Sequence, residues 1–244
     1  MRIYRIFVES RLRAGDELEL SERAANHLVR VLRHRVGDRV TLFDGTGVEA
    51  AAEITAAHRR HGCRVRVIEA AEVSHESKLA IELLPGLSRG EKMDWVIQKS
   101  VELGVSSIRP VITARSEVRP GPDTARRVAR WHEIMIGACE QSGRTRLAEI
   151  HPPVPLEQLE TQASTRLALD PEATTGLADC RPAGDSIAIA VGPEGGFCDQ
   201  DLALLTDRGF RRVRFGPRVL RTETAGIAAV TALQVLYGDL GGPN

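Results

Sequence analysis

The chain has 244 residues, 42% hydrophobic and 27% charged, and its 33 Lys and Arg balance 33 Asp and Glu. These values exclude a low-complexity or fibrous chain. No stretch approaches the roughly 20 apolar residues of a membrane span, and the arginine-rich start lacks the apolar core of a signal peptide. Four scattered cysteines form no C-x-x-C pair. We therefore expect a cytoplasmic protein without disulfides, membrane contact or bound metal.

Residues 1–72 consist of short stretches in which apolar and polar residues alternate, punctuated by Gly and Asp. This pattern predicts a small β-barrel or sandwich. One helix interrupts it at SERAANHLVRVLRH, residues 21–34, where Ser21 is placed to cap the start. The apolar face of that helix is predicted to contain Leu28, Val31 and Leu32.

After a polar stretch at 72–78 the pattern changes to apolar strands that alternate with amphipathic helices. The candidate strands are residues 79–84, 108–112, 166–170, 187–191 and 212–215. The candidate helices are residues 91–104, 123–143, 199–209 and 222–238, and each ends at a glycine. This order predicts an α/β fold with a largely parallel sheet. We therefore expect two domains, a β module at 1–72 and an α/β module at 73–244.

Charge is segregated along the chain although the net charge is zero. Residues 147–207 contain eleven acids and two arginines, whereas residues 208–221 contain six arginines and no acid. Such segregation can build a basic face that meets phosphates. It is equally compatible with arginines that point in different directions and are simply solvated.

The sequence VGPEGGF begins with Val191, the last residue of an apolar run, and precedes a polar helix start. Glycines let a backbone approach a ligand closely, but the spacing is not G-x-G-x-x-G and the turn has no phosphate-loop lysine. Glu194, in the middle of the turn, would repel a phosphate and favour a cation. S-adenosylmethionine, which carries a sulfonium and an ammonium, fits this reading. A tight turn with a solvated glutamate is the simpler alternative.

A second Gly-Pro loop lies in FGPRVLRTETAGI, residues 215–227, between a strand end and a helix that Thr222 is placed to cap. Arg221 stands directly before that helix, and Glu223 in its first turn suits the helix dipole. The carboxyl ends of neighbouring parallel strands lie side by side. The two Gly-Pro loops and LALDP, residues 167–171, are therefore predicted to rim one pocket. An ion pair between Arg221 and a nearby acid is the alternative.

Two further stretches contain candidate RNA-binding residues. In GACEQSGR, residues 137–144, Glu140 and Arg144 are four residues apart on a predicted helix. The simpler interpretation is a salt bridge between them. The functional interpretation is that the end of this helix contacts RNA. HLVRVLRHRVGD, residues 27–38, is read either as a solvated amphipathic helix or as an RNA-facing ridge.

These motifs together resemble a known family. HLVRVLR, LFDGTG, GEKMDWVIQKSVELGV, RSE, ACEQSGR, VGPEGGF and LRTETAGIAA are similar to those of the bacterial 16S (small-subunit) ribosomal RNA uridine-N3 methyltransferases, which belong to the SPOUT class. The resemblance runs from about residue 2 to residue 238. It implies an amino-terminal PUA-like β-barrel for RNA, a SPOUT domain with a deep trefoil knot, and a homodimer. Knots are very rare, so no periodicity predicts this one.

The resemblance also implies a methyl donor, S-adenosylmethionine, and a substrate, 16S rRNA, methylated on the assembled 30S subunit. Carried onto this chain, the donor-binding residues are Leu169, Gly192, Pro193, Glu194, Gly195, Gly196, Gly216, Leu220 and Thr224. The candidate RNA-binding residues are Arg5, His27, Arg30, Arg33, Arg115 and Arg144.

Chemistry suggests roles for three residues. Methylation of uridine N3 requires removal of a proton and stabilisation of the anion that develops over O2 and O4. Arg221 is the candidate for stabilising that charge, and Glu223 and Glu140 are candidates for accepting the proton. No metal is required.

Three alternatives differ in chemistry. A SPOUT-class ribose 2′-O-methyltransferase acting on tRNA or rRNA usually has a serine- and asparagine-rich stretch where this chain has RTETAGIAA. An RNA-binding protein that holds a nucleotide without chemistry is disfavoured by the intact loops. A dinucleotide oxidoreductase is disfavoured by the missing fingerprint.

Overall fold

The computed structural model describes residues 4–58, 62–119 and 121–242. The chain forms two compact units, one of Met1–Glu76 with Cys139–Leu147 and the other of Ser77–Ala138 with Ala148–Asn244. The division therefore falls four residues later than the boundary expected after residue 72. A short segment from the second half of the chain also joins the first unit.

The first unit contains a five-stranded sheet in the order β1-β3-β4-β5-β2. β1 pairs with β3 in parallel and the other pairings are antiparallel. Alternate positions of the long strands are buried, as the period-two pattern predicts. The strands are β1 Arg5–Phe7, β2 Glu17–Glu19, β3 Arg39–Phe43, β4 Val48–His58 and β5 Gly62–Glu72.

The predicted helix of this unit is shorter and less regular than expected. α1 is Glu22–Asn26, and Ser21 Oγ accepts a hydrogen bond from Ala24 N at 3.3 Å, as a cap should. A π-helical turn, His27–Val31, follows, and Leu32 N donates to His27 O, five residues back. The wider turn rotates the residues that follow it around the helix axis. As a result Leu28 is fully buried, but Val31 is 67% exposed. The expectation that Val31 belongs to the buried face was wrong.

The segment 139–147 is fixed to the first unit by polar contacts. The Arg144 guanidinium donates to the Glu76 carboxylate, with Nη2 to Oε2 at 2.6 Å, and its side chain is only 6% exposed. Thr145 Oγ1 donates to Val73 O at 2.5 Å, and Leu147 N donates to Gly45 O at 3.1 Å. These long-range bonds have no signature in local sequence pattern, which explains why the segment was not assigned to this unit.

Replacing Glu76 by alanine should destabilise the first unit by about 2 kcal/mol, because it removes the carboxylate to which the buried Arg144 guanidinium donates. Urea unfolding should show the loss. The matched control is Glu17→Ala, whose partner Arg66 and own side chain are more than half exposed. That change should cost less than about 0.5 kcal/mol. Equal losses in the two variants would contradict this reading of the Arg144 pair.

The second unit contains a six-stranded, wholly parallel sheet in the order β13-β11-β12-β6-β7-β9. Its central strand β12 is buried at five of its six positions, as expected for a strand covered on both faces. A separate parallel pair joins β8 and β10. The strands are β6 Ala80–Pro85, β7 Ser107–Ile108, β8 Val111–Ile112, β9 Glu149–Ile150, β10 Val154–Pro155, β11 Thr165–Leu169, β12 Ser186–Val191 and β13 Arg211–Val213.

All four predicted helices of the α/β module are present. They are α2 Gly90–Glu102, α3 Thr124–Ser142, α4 Asp199–Asp207 and α5 Thr222–Tyr237. Gly104, Gly143 and Gly209 follow the first three helices and have positive φ, the left-handed conformation that glycine favours at a helix end. Gly238, which follows α5, has a negative φ. No helix in the described part of the chain is long and apolar enough to cross a membrane.

The candidate strand at 108–112 is two short strands separated by Pro110, because proline has no N–H for a ladder. β9 and β10 were not predicted, because each has only two residues, too few to show an alternating pattern. β11, β12 and β13 are parallel, so their carboxyl ends lie along one edge of the sheet. The three loops expected to form a pocket all start at this edge.

Candidate active site

A cavity of about 690 Å³ lies at the carboxyl ends of β11, β12 and β13, and the loops that follow all three strands line it. The predicted convergence of these loops is therefore observed. Eight of the nine predicted donor-binding residues line the cavity: Leu169, Gly192, Pro193, Glu194, Gly195, Gly196, Gly216 and Leu220. Thr224 does not line it; this residue is exposed on α5.

The glycine loop after β12 folds back on itself tightly. Gly196 N donates to Pro193 O at 2.8 Å, and Gly196 has φ +68°. A Cβ at Gly192 would stand 2.9 Å from the backbone of Gly196 and Phe197, closer than real Cβ atoms approach. Glycine at 192 is thus required by the fold of the loop, before any ligand is considered.

Gly86, directly after β6, is a residue that sequence reasoning missed. Its N–H donates to Val191 O at 2.7 Å, which continues the pairing of β6 with β12. A Cβ at Gly86 would lie 2.3 Å from Pro193 N. The glycine loop therefore rests against the Gly86 backbone, a contact that only a residue without a side chain allows. A glycine after a strand is too common a signal to have revealed it.

Glu194 already has a cationic partner in the protein. Lys92 Nζ, on the first turn of α2, donates to Glu194 Oε1 at 3.0 Å. Burial acts to raise the pKa of Glu194, but hydrogen bonds from its own backbone and from the Lys92 and Ser88 side chains outweigh it, so the pKa is lowered. The cation that this carboxylate neutralises here is Lys92, which anchors the loop to α2.

Two side chains hold the glycine loop from the other side. Arg115 Nη1 donates to Gly195 O at 2.9 Å, so this arginine, predicted to bind RNA, contacts the loop and lines the cavity. Asp201 is buried, and its carboxylate accepts from Cys198 N at 3.0 Å and Ala114 N at 3.2 Å. Asp201 thereby links the start of α4 to the segment that carries Arg115.

An ion pair between a buried carboxylate and a half-exposed arginine supports the loop after β11. Arg212, on β13, donates from Nε to Asp170 Oδ2 at 2.5 Å, and Asp170 Oδ1 accepts from Glu172 N at 3.0 Å. Asp170 is 5% exposed. Both partners line the cavity. LALDP was predicted to reach the pocket, but the pairing of its aspartate with Arg212 was not.

Arg221 and Glu223 both line the cavity at the start of α5. Arg221 occupies the N-cap position and its C=O accepts from Ala225 N at 2.8 Å, so the expectation that Thr222 caps this helix was wrong. Among the residues that the structure describes, no side chain caps the start of this helix. Within the described residues, Glu223 Oε2 is buried and has no hydrogen-bond partner. A buried carboxylate oxygen without a partner in a cavity wall is available to a ligand.

Glu140, the other predicted proton acceptor, does not line the cavity. It belongs to the first unit, where its carboxylate accepts from Phe7 N at 3.2 Å and pairs with Arg23 at 3.3 Å. The four-residue spacing to Arg144 does not produce a salt bridge either, because Arg144 pairs with Glu76. We therefore withdraw Glu140 as a catalytic residue.

The other predicted RNA-binding residues fall into two groups. Arg5 pairs with Glu49, lies over the Phe43 ring and donates to Arg144 O, and only 16% of its side chain is exposed. Arg5 and the buried Arg144 therefore act in the fold, and we withdraw both as RNA contacts. His27, Arg30 and Arg33 are exposed on and after the π-helical turn, and Arg33 has φ +60°, which is unusual for a residue other than glycine.

Comparison with known proteins agrees with this architecture. The profile of the family described as "RNA methyltransferase domain" matches residues 75–234, and that of "RNA methyltransferase PUA domain" matches residues 20–68. The ribosomal RNA small subunit methyltransferase E of Buchnera aphidicola (from Schizaphis graminum) is 32% identical, with 98% of both chains covered. The chain belongs to this methyltransferase family.

Two solved structures share the whole fold. A methyltransferase from Legionella pneumophila in complex with S-adenosylmethionine is 40% identical, with a TM-score of 0.94 over 98% of this chain and 100% of that one. The ribosomal RNA small subunit methyltransferase E of Neisseria gonorrhoeae, also bound to S-adenosylmethionine, is 37% identical, with a TM-score of 0.89 and the same coverage. The family resemblance, the methyltransferase activity and the fold, a SPOUT-type parallel sheet with an amino-terminal PUA-like domain, are thereby confirmed.

Proposed function

We propose that this methyltransferase uses S-adenosylmethionine to methylate N3 of one uridine in 16S rRNA, with the assembled 30S subunit as substrate. The observation that carries the proposal is the composition of one cavity. It brings together eight predicted donor-binding residues and two candidate catalytic residues, Arg221 and Glu223. Two structurally similar relatives are complexes with this donor.

The residues present fit the donor. The cavity is large enough for a nucleoside-sized ligand, and the glycines at 192, 195 and 196 present backbone without side chains. Backbone N–H and C=O groups in such a wall can recognise an adenosine. Leu169, Leu220 and the other residues of the three loops would hold the donor. When bound, S-adenosylmethionine supplies a methyl group on an electrophilic sulfonium.

The role that we propose for Arg221 is to stabilise negative charge on the uracil ring. Its guanidinium stands at the amino-terminal end of α5, where the helix dipole adds to its positive charge. Loss of the N3 proton spreads charge over O2 and O4, and a preorganised donor aimed at that charge lowers the barrier. Arg221 thus makes N3 a competent nucleophile.

Glu223 is the proton acceptor that we favour. Its Oε2 is buried in the cavity wall without a partner among the described residues, so it can accept the N3 proton without breaking an existing hydrogen bond. The nitrogen then forms a bond to the methyl carbon as the carbon–sulfur bond breaks, and the proton leaves to solvent from Glu223.

The remaining assignments rest on the family. We propose a homodimer formed by the second unit, supported by the exposed apolar side chains of Val235, Leu236 and Leu240 at the end of the chain. RNA contacts by His27, Arg30 and Arg33, a cytoplasmic location and a trefoil knot remain predictions. The ribose 2′-O-methyltransferase is the alternative activity.

Transfer of labelled methyl groups tests this proposal. Unmodified 30S subunits, 50S subunits and deproteinised 16S rRNA would be incubated with the enzyme and methyl-labelled S-adenosylmethionine. We expect label in the 30S sample and far less in the other two. Equal labelling of free 16S rRNA would contradict the assembled-subunit substrate, and no labelling of any RNA would contradict the proposed function.

A further inference from the structure

A second cavity, of about 540 Å³, lies in the same unit. Two segments contribute residues to both this cavity and the candidate active site. One is the start of α2, where Lys92 lines the active-site cavity and Arg89 lines the second. The other contains Arg115, which lines the first cavity, and Arg119, which lines the second. A polymer bound at the active site can therefore extend into the second cavity.

The second cavity has an apolar floor and a basic rim. The floor consists of Met93, Val118 and Trp131, which are all nearly fully buried. The rim carries four arginines, at 89, 119, 127 and 130. An apolar surface with an indole beside guanidinium groups is the combination that unstacked RNA bases and their phosphates require.

The acids of the rim are largely neutralised by two of these arginines. Arg130 Nη2 lies 2.6 Å from Asp94 Oδ2, and Arg89 Nε lies 3.3 Å from Glu117 Oε2. The cavity then retains Arg119 and Arg127 against Glu91. Within the described ranges, the Arg127 side chain has no hydrogen bond or ion pair, whereas Arg119 Nη1 donates to Thr113 O at 3.3 Å. Arg127 is thus the guanidinium most available to a phosphate.

We propose that this cavity binds a single-stranded RNA nucleotide adjacent to the target uridine, with its phosphate on Arg127 and its base over the apolar floor. The proposal rests on the proposed function, because it concerns the RNA substrate of the same site. Binding of this nucleotide would hold the RNA strand next to the reacting base, so that only the reacting uridine enters the first cavity.

Substitution of Arg127 tests the proposal on unmodified 30S subunits. Arg127→Ala should raise KM for the subunit about tenfold, and the slope of log affinity against log salt should become shallower by about 1. The affinity for S-adenosylmethionine, measured by calorimetry, should remain that of the wild type, which also shows that the variant is folded. Arg127→Lys keeps the positive charge but lacks the planar guanidinium, so its KM should lie between those of the wild type and Arg127→Ala.

The matched control is Arg126→Ala. Arg126 is the preceding residue on α3, its side chain is 81% exposed, and it does not line the cavity. Removal of this charge should leave KM within about twofold of the wild type. A wild-type KM for Arg127→Ala, or equal losses in both variants, would overturn the proposal. A wild-type enzyme that labels no RNA would instead refute the proposed function itself.

Discussion

Arg221→Ala is expected to lower kcat by about 10²–10³-fold, the usual cost of removing one donor that stabilises a developing anion. Arg221 lines the candidate active-site cavity at the start of α5, and so does Glu223, whose Oε2 is buried. Since this role belongs to the transition state, the affinity for S-adenosylmethionine should change by less than about twofold. Single-turnover methyl transfer to 30S subunits, together with calorimetry of donor binding, measures both quantities.

The control for this variant is Arg211→Ala. Arg211 is exposed on β13, next to Arg212 in sequence, but it does not line the cavity. Its removal should leave kcat unchanged, so a general loss of positive charge cannot account for the effect of Arg221. If Arg221→Ala retains wild-type kcat, or if it loses donor binding in step with activity, the proposed role of Arg221 is wrong.

Gly86→Ala is expected to weaken S-adenosylmethionine binding and to lower the rate of methyl transfer by about 100-fold, because a misplacement near 1 Å costs about that much in rate. The added Cβ would lie 2.3 Å from Pro193 N, a backbone atom that cannot rotate away, so the glycine loop must move. Gly86 does not itself line the cavity. Calorimetry with S-adenosylmethionine measures the loss, and activity should fall with it at donor concentrations below saturation.

Gly121→Ala serves as the control for this substitution. A Cβ at Gly121 meets no heavy atom within 4 Å, and its φ is not positive. Thermal unfolding should be close to that of the wild type, and donor binding should be unchanged. Wild-type donor affinity in a folded Gly86→Ala variant would show that the loop does not depend on this contact.

The sequence predicted the elements with strong periodicity and the loops with dense motifs. All four helices of the α/β module and the β-rich character of the first unit were expected, because alternation and amphipathicity are local properties. The active-site cavity was expected because parallel strands place their carboxyl ends along one edge. Eight of nine donor-binding residues line it for that reason.

The errors concern contacts between residues far apart in sequence. Arg144 was expected to contact RNA but pairs with Glu76, 68 residues earlier, and Arg5 pairs with Glu49. Charge in a sequence does not reveal whether a partner lies opposite in space. The same applies to Glu194. Its charge was interpreted as favouring a cationic ligand, but the cation that it pairs with is Lys92, 102 residues earlier.

Local backbone geometry explains two other errors. The π-helical turn at His27–Val31 exposes Val31, although helical spacing of 3.6 residues would bury it. Arg221 takes the cap position of α5 although threonine is the better capping residue. Arg221 is also the residue that we propose acts on substrate, and functional positions are where local preference is expected to give way.

The central claim is that N3 of a uridine receives the methyl group. The measurement that tests it most directly is mass spectrometry of nucleosides released by complete digestion of 16S rRNA, from 30S subunits methylated by the purified enzyme. We expect one additional methyl group per subunit, found as 3-methyluridine, with no label on ribose. Recovery of the label as a 2′-O-methyl nucleoside would contradict the account and favour the ribose methyltransferase.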